Sequence, residues 1–507
     1  MILRALALGV IAGLSACAAI APDPASDFDA HLASSAEPVR RCAEWYRSLD
    51  AAIDEAGVRD AQHTRVPGFP YLRVDRMHAA LRDRAQAREP ALQTFAERLL
   101  ALDLEARRHE VENLPRERLL ALPDVHADLP RNEVMLRTRA CGRLLRELDL
   151  AKPAVRARVL AHASVPDDYS TLQRVLGLYP VTRIVFAAGV RRWEAETREA
   201  FRSPKPQPAV GRLRFAPPSG TILARETVAG LLAHARHDPL GHMPVGEREL
   251  MALAATYAPD FEVAVSGDYD RPGALRWRRD AQMPEVDAAD PAVYVQASST
   301  RYGEHVLVQL VYTIWFSERP PRQAGDLLAG PLDGIVWRVT LAPDAEPLLY
   351  DAIHPCGCYH MFFPTPRAKP RPAPDALDEW AFIPARLPRV AHGERPLISM
   401  ASATHAIDGV TLVRGRDSLV RYSLRAYDDL RSMMLPDGGR RSAFGADGLI
   451  AGTERGERLL FWPMGIASAG AMRQWGRQPT AFVGRRHFDD ADLIERRFVL
   501  DLEPVAP

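Results

Sequence analysis

A change of period constrains this chain more than any single motif. From about residue 30 to residue 203 apolar side chains recur every three or four positions, and beyond about residue 260 they recur every second one. The first spacing buries one stripe of a helix and the second one face of a strand, so neither pattern serves the other structure. Cys42, Trp45, Leu49 and Ile53 form one helical stripe, and Leu92, Phe95, Leu99, Leu102 and Ala106 form another. Pro90 suits the first turn of that second helix, where its missing N–H would have had no partner. A third stripe joins Val134, Cys141, Leu145 and Leu148, and a fourth helix is predicted over about 181–201. Between the two regimes stands Ser203-Pro204-Lys205-Pro206-Gln207-Pro208, followed by Pro217-Pro218-Ser219-Gly220. Proline has no donor and a fixed φ, so neither helix nor ladder continues through it. The fold class read from this is α+β: an all-α helical domain at 30–203, a proline-rich linker at 204–220 and a larger antiparallel β-rich domain at 221–507.

After a short helical piece at about 226–257, strands are expected at 261–265, 292–298, 305–316, 335–341, 348–353 and 359–363. A proline-rich loop at 364–378 interrupts the domain, and further strands are expected at 397–400, 410–413, 419–424, 459–462 and 480–483. In the longest run Val306, Val308, Leu310, Tyr312, Ile314 and Phe316 share one face. The other face mixes polar groups among apolar ones, which fits a half-solvated sheet surface or a pocket wall.

The N-terminus carries an address. Arg4 and the apolar run 5–14 have the form of a secretory signal, too short to span a bilayer. It runs into Leu14-Ser15-Ala16-Cys17, which resembles the lipobox of bacterial lipoproteins. The resemblance covers about the first twenty residues and implies a signal peptide at 1–16 and a lipidated Cys17 on a flexible tether at 17–29. It also implies a chain held by acyl groups, palmitate among them, in the cell envelope and facing the periplasm. Ala18 in place of aspartate points to the outer membrane.

Sixty-five basic residues against 65 acidic ones leave no electrostatic footprint for nucleic acid. The expected partners are the lipid bilayer and another envelope protein. No stretch carries a known catalytic signature.

One heptapeptide concentrates reactive side chains: His354-Pro355-Cys356-Gly357-Cys358-Tyr359-His360. In a regular strand its outer histidines would stand roughly 20 Å apart, so shared chelation requires a curl, which Pro355 and Gly357 permit. The metal set drawn from it is His354, Cys356, Cys358 and His360, with His305 arriving from a neighbouring strand; thiolate and imidazole together suit zinc or copper. For a hydrolytic centre, Glu304 or Asp351 would act as base. Export leaves three other readings open. The four cysteines remaining after Cys17 allow three connectivities, with Cys42 and Cys141 on apolar helix faces able to pair. The thiols could stay inert, or the Cys-Gly-Cys pair could cycle between thiol and disulfide. In the structural version the chain is a non-catalytic envelope scaffold. His234, His237 and His242 read as solvent-exposed, 268–273 as a turn, and Asp492 with Glu495 as a helix start.

Overall fold

The alternating half of the chain becomes two large sheets and three two-stranded ones in the computed structural model, which describes residues 25–126, 131–203, 211–220, 222–242, 245–279, 281–375, 377–414 and 420–503. The lipobox, residues 17–24 of the tether and residues 204–210 of the linker lie outside the described residues. Residues 25–29, read as tether, belong instead to a helix, α1 (Ala25–Leu32). Asp27 accepts two hydrogen bonds of 2.6 Å from Arg158, and His31 Nε2 lies 2.8 Å from Asp149 Oδ1, which hold α1 on the helical region.

The helical region is built on α2 (Glu37–Ala56), α3 (Glu89–Asn113), α4 (Arg131–Leu150) and α5 (Pro153–His162). The predicted stripe of α2 buries Trp45, Leu49 and Ile53, and a disulfide joins Cys42 to Cys141 of α4. The region is not purely helical, because a hairpin of β1 (Thr64–Val66) and β2 (Phe69–Val74) lies under α3. Arg73 on β2 is fully buried, with its guanidinium 2.7 and 2.8 Å from the Glu110 carboxylate oxygens and 3.1 Å from Asp103 Oδ1. Three proline and glycine residues within 67–70 mask the alternation that would have marked this hairpin in the sequence.

Beyond α6 (Thr171–Leu176), α7 (Tyr179–Arg202) has helical periodicity, yet its Trp193 and Phe201 pack on the β core. That core lies between the two sheets and two helices, α8 (Arg225–Ala233) and α9 (Glu247–Tyr257). The smaller sheet begins with β3 (Gly211–Ala216) and β4 (Asp260–Val265). The larger begins with β5 (Ala292–Tyr302), β6 (His305–Arg319), β7 (Gly330–Leu341), β8 (Pro347–Ile353) and β9 (Met361–Pro364). Next come β10 (Arg395–Met400), β11 (Ile407–Val413), β12 (Val420–Arg421) and β13 (Ser423–Ala426). The six-stranded order is β9-β8-β7-β6-β5-β13, antiparallel except for the β5–β13 pair, and the five-stranded order is β11-β10-β4-β3-β12.

Val308, Leu310, Tyr312, Ile314 and Phe316 do face this core. The other face of β6 is neither solvated nor a pocket wall: Leu307, Val311 and Trp315 are each buried, in three separate clusters. Its cover is the irregular C-terminal segment, which contributes Phe488, Leu493, Ile494 and Met472. Arg338 of β7 pins that cover, donating 2.5 Å to the Phe488 carbonyl oxygen with its guanidinium 3.7 Å over the Phe488 ring. The segment also locks onto the helical region, through Arg431 to Asp60 at 2.8 and 3.0 Å and through the Tyr169 hydroxyl, 2.8 Å from the Ala481 carbonyl oxygen. Two expected strands are absent from it. Residues 459–462 form the helical turn α10 (Arg458–Phe461) and the start of a 3₁₀ turn, and 480–483 make no named strand. A run of four apolar residues does not distinguish strand from helix by period alone.

Candidate functional site

The heptapeptide is the turn between β8 and β9, and it does curl. The Gly357 N–H donates to the His354 carbonyl oxygen at 2.8 Å, and the His354 N–H to that of Cys358 at 3.0 Å. Gly357 has φ 93°, which favours glycine, and a Cβ there would meet the Pro479 carbonyl oxygen at 2.2 Å. The turn is therefore pressed against the C-terminal segment.

The curl does not gather the five residues of the expected metal set. His354 Nδ1 is 3.0 Å from Asp333 Oδ1, and Asp333 Oδ2 is 3.0 Å from His405 Nδ1. His405 in turn lies 3.4 Å from Asp270. Burial alone would raise the Asp333 carboxyl, but His354 and Arg455 hold it well below the usual carboxylate range. His360 is taken by Asp351, with Nε2 2.9 Å from Oδ2, and burial pushes its pKa down to about 3. His305 sits exposed in the β5–β6 hairpin, paired with Tyr302. Pro355 lies beside Gly334, which pairs with Trp315. That is ten residues along β6 from His305, or roughly 33 Å at about 3.3 Å per residue. Among the described residues no three His, Cys, Asp or Glu side chains converge as a metal group. His354 and His360 share the turn, but each of these two rings already has a carboxylate, Asp333 and Asp351 respectively. The proposed bases fare similarly: Glu304 is exposed in the same hairpin as His305, and Asp351 is saturated by Arg338 and His360.

The two sulfurs remain together. Cys356 is buried and Cys358 half-buried, neither in a disulfide, and the Cys358 N–H points at Cys356 Sγ from 3.4 Å. Burial opposes ionisation of Cys356, but its hydrogen bond with Cys358 and the Arg455 charge outweigh this and lower its pKa. Cys358 is the member that keeps its proton: the bond to Cys356 raises it, and burial adds to the effect.

Cys358 also lines a cavity of about 440 Å³. Its walls are mostly apolar, with Val185, Phe186, Val190 and Trp193 from α7 facing Phe382, Phe461 and Phe482. Three carboxylates, Glu194, Glu379 and Glu457, also line it, each raised by burial, together with Arg486. Glu379 Oε1 accepts from the backbone N–H groups of Phe482 and Val483, at 2.6 and 3.0 Å, so it serves the loop.

An exposed apolar ridge adjoins this cavity at Val185. Most of the exposed large apolar side chains among the described residues fall in two adjoining segments: Leu172, Val175, Leu176, Leu178, Val181, Ile184 and Val185 in one, and Leu459, Leu460 and Trp462 in the other. Arg174 fastens them together, lying over the rings of Tyr169 and Tyr179 and donating to the Met464 carbonyl oxygen at 2.8 Å. Val185 belongs to both features, 72% exposed yet lining the cavity. A soluble surface rarely gathers so much aliphatic side chain without a partner.

A second cavity, of about 590 Å³, opens where the helical region meets β5, and sequence reasoning missed it. Asp75 caps the short helix Arg76–Ala80 and lies 2.8 Å from His78 Nδ1. His78 Nε2, His63 Nδ1 and His242 Nδ1 are buried there without a hydrogen-bond partner. His242, read as solvent-exposed, instead sets its ring 5.1 Å from that of His78, and burial lowers its pKa to about 4. The only local signal in the sequence is the Asp75-to-His78 spacing, because the other rings come from distant segments. Comparison with family models, curated proteins and solved structures finds no match for the chain.

Proposed function

We propose that this chain is a lipid-anchored envelope protein that houses an acyl chain, or a ligand of similar apolar character, in the 440 Å³ cavity beside the Cys356–Cys358 turn. The observation that carries the reading is the continuity of the apolar cavity with the aliphatic ridge through Val185. A volume in the range of about 300–1,000 Å³ with apolar walls and few polar groups is that of a small-molecule site. The Leu14–Cys17 motif supports the setting, since an acylated Cys17 would keep the ridge near a bilayer. In this setting ligand transfer needs no aqueous step: the ridge rests on lipid and the cavity receives the chain from it.

Titration of the purified protein with a fluorescent polyene fatty acid tests this. Saturable binding of one probe per chain, with energy transfer from Trp193 and displacement by palmitate, is expected. Unsaturable partitioning, or probe that palmitate does not displace, contradicts the proposal and favours the scaffold reading.

A further inference from the structure

The cavity wall holds a chemistry that apolar binding does not use. Of the five cysteines, Cys42 and Cys141 are bonded to each other and Cys17 lies in the lipobox. The remaining two fall in one turn, both as free thiols. In an exported chain, adjacent thiols face an oxidising compartment. Gly357 brings them together by a conformation that a side chain would strain, and the 3.4 Å approach of the Cys358 N–H places a backbone donor on Cys356 Sγ. Their exposures differ in a useful way: Cys358 lines the cavity and Cys356 is only 3% exposed. The turn is held rigid from both sides. The His354–Asp333–His405 bonds fix its start and the His360–Asp351 bond its end, while the Arg473 N–H donates to the Pro355 carbonyl oxygen at 3.3 Å.

We propose that Cys356 and Cys358 form a thiol–disulfide exchange pair, with Cys358 as the sulfur that meets a partner disulfide through the cavity and Cys356 as the resolving sulfur. At rest the proton sits on Cys358, and as a partner disulfide approaches the Cys356 sulfur beside it acts as base and takes that proton, leaving a thiolate on Cys358 only for the attack. That thiolate attacks one sulfur of the partner disulfide, forming a mixed disulfide and expelling the other sulfur as a thiolate, which takes up the proton held by Cys356. Cys356, now deprotonated, attacks Cys358 Sγ. The Cys356–Cys358 bond forms and the second partner sulfur leaves, protonated by solvent. The turn is oxidised by two electrons and the partner disulfide is reduced to two thiols. The exchange uses the same cavity as acyl-chain binding but does not depend on that reading: a partner disulfide reaches Cys358 when the cavity is free of an acyl chain.

The test uses the reduced full-length protein and glutathione disulfide, with acid quenching and counting of alkylated thiols by peptide mass. Wild-type protein is expected to lose both thiols of the turn and gain an internal disulfide with no glutathione attached. Cys356→Ser is expected to accumulate a stable glutathione adduct on Cys358, whereas Cys358→Ser forms none, because Cys356 is out of reach. Wild-type protein that keeps both thiols, or that ends with glutathione held on Cys358, overturns the proposal without recourse to any variant. One-to-one copper(I) binding that shields both thiols from glutathione disulfide overturns it in favour of a soft-metal site.

Discussion

Replacing Arg338 with methionine probes how the large sheet is joined to its C-terminal cover. Arg338 and Asp351 are 1% and 0% exposed at their side chains and meet in a two-point ion pair, with Nε to Oδ1 at 2.9 Å and Nη2 to Oδ2 at 2.6 Å. Arg338→Met removes that partner and leaves a carboxylate in a dry interior with only the His360 ring beside it. Removing one member of a buried pair costs about 3–5 kcal/mol, because the orphaned charge has neither water nor counterion. Loss of the Arg338 contact to the Phe488 carbonyl oxygen adds about 1 kcal/mol. Against a total stability of about 5–15 kcal/mol this is severe. The double variant Arg338→Met, Asp351→Asn removes the stranded charge and keeps an oxygen for His360, so it is expected to recover at least about 2 kcal/mol of the loss. Urea unfolding followed by tryptophan fluorescence measures both. A single variant within about 1 kcal/mol of wild type, or a double variant no better than the single one, would refute the idea that a desolvated charge dominates this junction.

Three further outcomes follow from the same structure. His242 has its pKa lowered to about 4 from 6.5, chiefly by burial and then by His78, so between those values the unfolded chain binds more protons and stability falls as pH drops. His242→Gln is expected to shrink the loss between pH 7 and pH 5 by about 1–2 kcal/mol, read as urea midpoints at the two pH values. Cys42→Ala with Cys141→Ala opens a loop of 99 residues, and a stability loss of about 2–4 kcal/mol is expected by the same unfolding assay. On the ridge, changing Leu172, Ile184 and Leu460 together to glutamate is expected to weaken sedimentation of the unacylated chain with lipid vesicles by at least about tenfold, since each such side chain contributes about 1.5–3 kcal/mol when fully buried.

The gross architecture is legible in the sequence because period is a local property. The stripe through Trp45, Leu49 and Ile53, the α+β division and the curl allowed by Pro355 and Gly357 all depend on neighbours within a few residues. The rest depends on partners that local pattern cannot name. His354 and His360 sit where a ligand set would want them, but Asp333 and Asp351 lie 21 and 9 residues earlier and claim both rings. The second face of β6 reads as half-solvated because its cover arrives from residues 472–494, long after the strand. The cavity is less visible still. Its walls come from α7, the β8–β9 turn, α10 and three separate loops, and α7 has a helical period that gives no hint of which body it packs on. The apolar residues of its exposed side look like core in a sequence window and are ridge in the fold.

The central claim is that the space beside α7 is occupied by an apolar chain. Gly189 lines it on α7, and a Cβ there meets nothing within 4 Å. Gly230 on α8 is equally open but outside the cavity, so Gly230→Trp controls for tryptophan on a helix. The decisive measurement is palmitate affinity in both variants. The account predicts that Gly189→Trp fills the cavity and abolishes saturable binding while Gly230→Trp retains it, and equal affinity in the two variants would contradict it.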